Sequence, residues 1–203
     1  MKVLCISDRV ESMLHGPSLN HYAAGVDAVI SCGDLPFSYL DYIVTFLGAP
    51  VYYVLGNHDP APDSKDYPEG CIPLDGEVVD IGGVFVAGLS GSRLYSGGPN
   101  QYTERQMNRR AWALSMKIRW RKLLGRPAPS VFVSHSPAFG LGDREDLPHV
   151  GFRSFLGLMD RFEPDLWLHG HVHLYGPDQE KQRIEKHGKT KLVNVYGHKF
   201  IEI

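Results

Sequence analysis

The chain has 203 residues, 43% of them apolar and 22% charged, and a formal net charge of −2 with the histidines neutral. That length predicts one domain, residues 1–203, with a sizeable core, and the near-balance of charge gives no support to nucleic-acid or anionic-membrane binding. Cys5, Cys32 and Cys71 match no zinc spacing; Cys5 and Cys32 lie in strand-like runs and read as buried free thiols of a reducing compartment.

Residues 1–7 form a short apolar run ending at Asp8, the first predicted strand. Residues 9–25 contain Gly16-Pro17 and a weak helical signal over 19–24. Residues 26–31 read as a buried strand that leads to Asp34. Pro36 opens a helix with Phe37, Leu40, Val44 and Leu47 on one face, and Gly48 and Pro50 close it. Residues 51–55 are the next strand and deliver Asn57, His58 and Asp59. This β-α-β order predicts parallel pairing. Residues 60–70 read as a Pro-rich loop, and 77–80 with 84–89 as a hairpin turning at Gly82-Gly83. Residues 90–101, rich in Gly and Ser, read as a loop near the rim of the sheet. Thr103 and Gln106 have capping-box spacing and start a long helix with Met107, Ala111, Leu114 and Ile118 on one seam. Its many lysines and arginines read as a solvated outer face. Residues 130–133 form a strand delivering His135, and 139–148 an acidic loop. Phe152, Phe155, Leu156 and Met159 form a helical core stripe that ends before Pro164. Residues 165–168 form a strand delivering His169, His171 and His173. Residues 190–196 and 199–203 flank Gly197-His198, a II′-type hairpin signal. The N-terminal residues do not have the form of a signal peptide, and no apolar stretch approaches the roughly 20 residues of a membrane span. A cytoplasmic protein is expected.

Ligands of parallel α/β sheets bind at the rim where strand C-termini open. Asp8, Asp34, Asn57, His135, His171 and His173 all follow predicted strands and are expected to converge there. Two carboxylates, one amide and three imidazoles form an oxygen and nitrogen donor set without thiolate, which suits manganese, iron, zinc or nickel. Six donors exceed the needs of one ion with an open position and suffice for two if a carboxylate bridges. Two such ions about 3.5–4 Å apart clamp the attacking and leaving oxygens of an in-line phosphoryl displacement. Any one of these residues alone carries little weight. The conjunction of Gly56-Asn57-His58-Asp59 with Gly170-His171-Val172-His173, each after a strand, carries the metal reading.

Asp8, Gly33-Asp34, Gly56-Asn57-His58-Asp59, Ser134-His135 and Gly170-His171-Val172-His173 resemble, in order, the motifs of the calcineurin-like metallophosphoesterases. The resemblance implies an α/β fold, a four-layer α/β/β/α sandwich of two mixed sheets. It implies two divalent metal ions, one held by Asp8, Asp34 and His173, the other by Asp34, Asn57, His135 and His171. His58 matches the residue that assists departure of the leaving oxygen, and Asp59 would orient it. The first motif departs from the family: Val10 stands where a histidine is usual, and Glu11, Ser12 or His15 would be the substitutes.

The expected function is hydrolysis of a small-molecule phosphate ester, a diester more than a monoester, by attack of a metal-generated hydroxide on phosphorus. The alternative is a non-catalytic scaffold descended from such an enzyme. A serine hydrolase is a third reading, but Gly88-Leu89-Ser90-Gly91 lacks the Gly-x-Ser-x-Gly spacing. His149, Arg93 and Asn100 are further candidates for substrate contact. His169 reads as a residue packed on its strand or bonded to a ligand, and His21, His187 and His198 as surface residues.

Overall fold

The computed structural model describes residues 1–62, 64–176 and 179–203. In chain order the elements are β1 (Lys2–Ser7), α1 (Leu19–Tyr22), β2 (Ala28–Ser31), α2 (Phe37–Leu47), β3 (Val51–Tyr53), β4 (Ile72–Pro73), β5 (Val78–Ile81), β6 (Val84–Leu89), β7 (Ser92–Arg93), β8 (Gln101–Tyr102), α3 (Glu104–Leu123), β9 (Val131–Ser134), α4 (Arg153–Phe162), β10 (Leu166–His169), α5 (Gln179–Gln182), β11 (Ile184–His187), β12 (Thr190–Asn194) and β13 (Gly197–Glu202).

The central strands are apolar on both faces because both faces are covered. In β1, Val3 and Cys5 face one core and Leu4 and Ile6 another. One sheet runs β13-β1-β2-β3-β4, the second β11-β12-β10-β9-β6-β5. Each is parallel at its centre with antiparallel strands at an edge: β13 on β1, β11 on β12, β5 on β6. The two sheets close on each other over Cys5, Ile30, Val86, Val133 and Leu168. The outer face of the first sheet packs on α1 and α2 through Leu19, Tyr39, Leu40 and Ile43. The outer face of the second packs on α3 and α4 through Met107, Leu114, Ile118, Phe155 and Met159. The architecture is therefore the expected helix, sheet, sheet, helix sandwich.

Local sequence accounts for the helix ends. Pro36, at φ −53°, enters α2, and Gly48 leaves it in the left-handed region at φ 69°. Thr103 Oγ1 accepts the Gln106 N–H while Gln106 Oε1 accepts the Thr103 N–H, so the capping box closes both ways. The Glu104 carboxylate then accepts the Arg153 and Ser154 N–H groups, which start α4. A carboxylate there is favoured by the helix dipole.

Residues 190–203 are not a hairpin. β12 lies in the second sheet, parallel to β10 and paired with β11 around Gly188, while β13 crosses to the first sheet and pairs with β1. Gly197, at φ 76°, turns the chain between the sheets. The Gly-His signal reflects neighbours in sequence alone; pairing with two separate open edges outweighs it. β4, two residues long and containing Pro73, carries no pattern by which sequence could mark it as a strand.

Candidate metal centre

The parallel order sends β1, β2 and β3 to one rim and β9 and β10 to the rim facing it. Asp8, Asp34 and His171 leave their strands in the left-handed region, at φ 62°, 56° and 66°. Such backbone costs about 1–3 kcal/mol per residue and is concentrated at functional sites. The loops also approach one another without room for a side chain. A Cβ on Gly56 would run into Asp34 Oδ1 and the His135 ring, and one on Gly170 into Ser7 Oγ and Asp8 Oδ2. These two glycines let the loops of opposite sheets meet.

Four donor atoms converge at the meeting point. His135 Nε2 lies 3.0 Å from His171 Nδ1, 3.1 Å from Asn57 Oδ1 and 3.3 Å from Asp34 Oδ2. The other nitrogen of each ring is on a backbone carbonyl: His135 Nδ1 is 2.8 Å from the Cys32 oxygen, and His171 Nε2 is 2.8 Å from the Pro148 oxygen. A carbonyl only accepts, so each of those nitrogens carries its proton. In the neutral rings the inward nitrogens are then lone pairs, facing an amide oxygen and a carboxylate. Tyr95 fixes the amide, because Asn57 Nδ2 donates to its hydroxyl at 3.0 Å. Four inward acceptors call for a cation, and carbonyl-anchored histidines are the usual support of metal ligands. Asp34, His135 and His171 form the one group of metal-binding geometry among the described residues.

The electrostatics agree. Burial pulls the His135 pKa down, but the Asp34 carboxylate overrides it and holds the value at about 9. Burial pushes Asp34 up, and the His135 charge with its hydrogen bond and the His58 N–H bring it to about 2. His171 is lowered to about 3 by burial and then by the charge of His135. A proton on His135 thus takes the part of a cation while none is bound.

Asp8 and His173 flank this cluster. Asp8 accepts the His171 N–H on both oxygens, at 2.9 and 3.1 Å. Its Oδ1 is 3.8 Å from His173 Nε2. The His173 ring packs on Tyr196, with centroids 4.6 Å apart, and its Nδ1 is 3.0 Å from the Tyr175 hydroxyl. Val10 brings no donor atom. His15 packs edge-on between Tyr39 and Tyr42 of α2, Glu11 faces Arg9 and His198, and Ser12 begins a short 3₁₀ turn.

The family model of the calcineurin-like phosphoesterases matches residues 9–175. The chain belongs to that family. No curated protein matches it in sequence. One solved crystal structure superposes with a TM-score of 0.68 at 16% identity, covering 98% of this chain and 94% of its own. The protein TT1561 of Thermus thermophilus superposes with a TM-score of 0.60 at 15% identity, covering 97% and 89%. Vps29 from Cryptosporidium parvum gives 0.46 at 16% identity, covering 96% and 72%. Calcineurin-like phosphoesterases are mostly hydrolases and bind divalent metals, which fits the inward donor set.

The remaining candidates of this calcineurin-like site are placed as follows. His58 is exposed; its backbone N–H donates to Asp34 Oδ1 at 2.8 Å, and the residue lines a cavity of about 230 Å³ with Asp34, Asn57, Tyr95, His149 and His171. Asp59 does not orient His58. Its Oδ2 accepts the Asp34 N–H at 2.9 Å and the Gly56 N–H at 2.8 Å, so it ties two ligand loops together. That role follows from burial: two unpaired backbone donors beside a buried carboxylate cost more than a solvated imidazole without a partner. His149 pairs with Asp146 and lies against His171, ring centroids 5.1 Å apart. Arg93 is engaged by Glu104, and the Asn100 amide by the Asp59 and Pro60 carbonyls. His169 is buried, its pKa lowered to about 4 by burial. His198, expected at the surface, is half-buried and bonded to the Tyr22 hydroxyl. Ser90 is buried and its Oγ accepts the Leu55 N–H, which leaves no exposed nucleophile there. Sequence reasoning missed Tyr95 and the Cys32 and Pro148 carbonyls. The only signal for Tyr95 was its place in the Gly/Ser-rich loop; a backbone oxygen has none.

Proposed function

We propose that the chain is a divalent-metal-dependent phosphohydrolase that prefers phosphodiesters. The observation that carries the reading is the set of inward acceptors from Asp34, Asn57, His135 and His171, with both imidazoles anchored on backbone carbonyls. Those four residues would hold one cation, and Asp8, Asp34 and His173 a second; manganese, iron, zinc or nickel suit the donors. Bound cations supply Lewis acidity at the phosphoryl oxygens and a water of lowered pKa. The chain supplies the rest. Asp34 and Asn57 sit on loops that Asp59 and Tyr95 hold still. His58, exposed on the cavity wall, is the group free to give a proton to the leaving oxygen. The diester preference rests on Val10: with one donor fewer beside Asp8, a doubly charged monoester gains less than in a fully ligated site.

The test is turnover by chelator-treated protein resupplied with manganese, on bis-p-nitrophenyl phosphate and p-nitrophenyl phosphate. Expected is manganese-dependent hydrolysis of both, with the higher kcat/KM on the bis-ester. A higher value on the monoester overturns the preference. Bound metal without turnover of either ester overturns the enzyme reading in favour of a scaffold, the outcome that the missing donor at Val10 would explain.

A further inference from the structure

We infer that the outer face of α3 is a docking surface for an anionic phospholipid bilayer. Successive helical residues are 100° apart, which places Arg105, Arg109 and Arg119 on the same face as Trp112, Met116, Trp120 and Leu123. All seven are exposed. Trp112 is 63% exposed, Trp120 68% and Leu123 75%, and Leu124 follows at 72%. The opposite face, with Met107, Leu114 and Ile118, is the one that packs on the second sheet. Exposed apolar side chains gathered on one face of a protein mark an interaction site.

The charge of the face selects the partner. α3 carries seven arginines and lysines against one carboxylate, Glu104. The net charge of −2 for the whole chain averages this away, which is why composition gave no sign of it. The cations at the flanks are used within the fold: Arg110 pairs with Asp75, Lys117 with Glu77, and Arg121 lies over the Phe85 ring. Arg105, Arg109 and Arg119 on the outer face form no ion pair among the described residues. A cavity of about 680 Å³ between α3 and α4, lined by Arg105, Trp112, Arg153 and Arg161 together with Glu104, opens beside the face. The Glu104 carboxylate there is already engaged by Arg93 and the Arg153 and Ser154 N–H groups, which leaves three cations to one neutralised anion.

A bilayer fits this mixture better than other polyanions. Trp settles at the headgroup level and Arg lays an apolar stem there while its charge meets phosphate. Met116, Leu123 and Leu124 have apolar surface to bury, which a nucleic-acid backbone does not reward. Two copies pairing face to face on α3 would set cation against cation. No helix among the described residues is long and apolar enough to cross a membrane, so the contact lies in the interface. The first turn of α3 adjoins the rim through the Glu104–Arg93 pair, and the helix runs away from it over about 30 Å. A bilayer along α3 would lie beside the metal centre without covering it.

The test is co-sedimentation of the full chain with vesicles of phosphatidylcholine alone and with about one third phosphatidylglycerol, read with tryptophan emission. Trp167 is buried at 1% exposure, so an emission shift reports Trp112 and Trp120. Expected is sedimentation and a blue shift with the anionic vesicles only, weakened by salt. The double variants Trp112→Gln/Trp120→Gln and Arg109→Gln/Arg119→Gln should each lower the partition coefficient about tenfold or more, with unchanged circular dichroism and melting. Failure to sediment with anionic vesicles, equal binding to neutral ones, undiminished binding by both variants, or tighter binding to duplex DNA or an acidic protein would each overturn it. The readout is independent of phosphoesterase turnover, so neither proposal falls with the other.

Discussion

Val10 and His58 set the chemical limits of the site. Asp34, Asn57, His135 and His171 gather four donor atoms around one point, whereas Asp8 engages a backbone N–H with both carboxylate oxygens and has His173 beside it at 3.8 Å. The two halves should therefore fill in sequence. Calorimetric titration with manganese is expected to show one tight equivalent followed by a weaker one, with activity rising on the second. Val10→His should move that rise to lower metal concentration; two indistinguishable tight equivalents in the unmutated chain would mean that another side chain has taken the vacant position. For His58→Ala, metal content should hold while turnover falls about 10²–10⁴-fold, the usual range for a lost proton donor. The fall should be steeper for alkyl esters than for p-nitrophenyl esters, whose leaving group needs little protonation. Equal losses on both would remove His58 from the acid role.

At the scale of elements, the loops of the site are set by glycines that no side chain can replace. Neither Gly56 nor Gly170 has a positive φ, so Gly170→Ala would act through collision with Ser7 and Asp8 alone. Overpacking of this kind costs about 1–3 kcal/mol. Gly170→Ala should lower the melting temperature and the metal content together, while alanine at exposed Gly157, where a Cβ meets nothing, should leave metal content unchanged. Equal effects at both positions would mean that the close approach of the loops is not what holds the site. The strands that carry the ligands were legible because each is a short apolar run ended by a polar motif, and α3 because its cap and its seam agree. What sequence could not show is set by contacts across the fold. Tyr95 reaches Asn57 across 38 positions, and Asp59 turns to the Asp34 N–H across 25. β13 leaves the apparent hairpin for an edge offered by β1, nearly two hundred residues away.

For the molecule as a whole, the metal-free protein should be most stable near the ordinary histidine pKa of about 6.5. Three buried rings decide this, with opposite signs. His135, held at about 9, binds its proton more tightly folded than unfolded. Its contribution is full below the unfolded value and is lost as pH rises through about 9. His169 and His171, lowered to about 4 and about 3, stay neutral in the fold while the unfolded chain takes up protons. Stability therefore falls as pH drops below the unfolded value. Asp34, at about 2, contributes above the normal carboxylate range and adds its own loss only in strong acid. A cation changes the alkaline limb alone, because a ligating His135 must have shed the proton that the metal-free protein retains. Melting temperature recorded across this range, with chelator and with manganese, should show a peak near neutrality in chelator. The stabilisation given by manganese should grow steadily towards alkaline pH and level off past about 9. A metal-free curve that stays flat between the two histidine values would show that His135 is not the proton holder, and a manganese effect independent of pH would show that the cation does not take that proton's place.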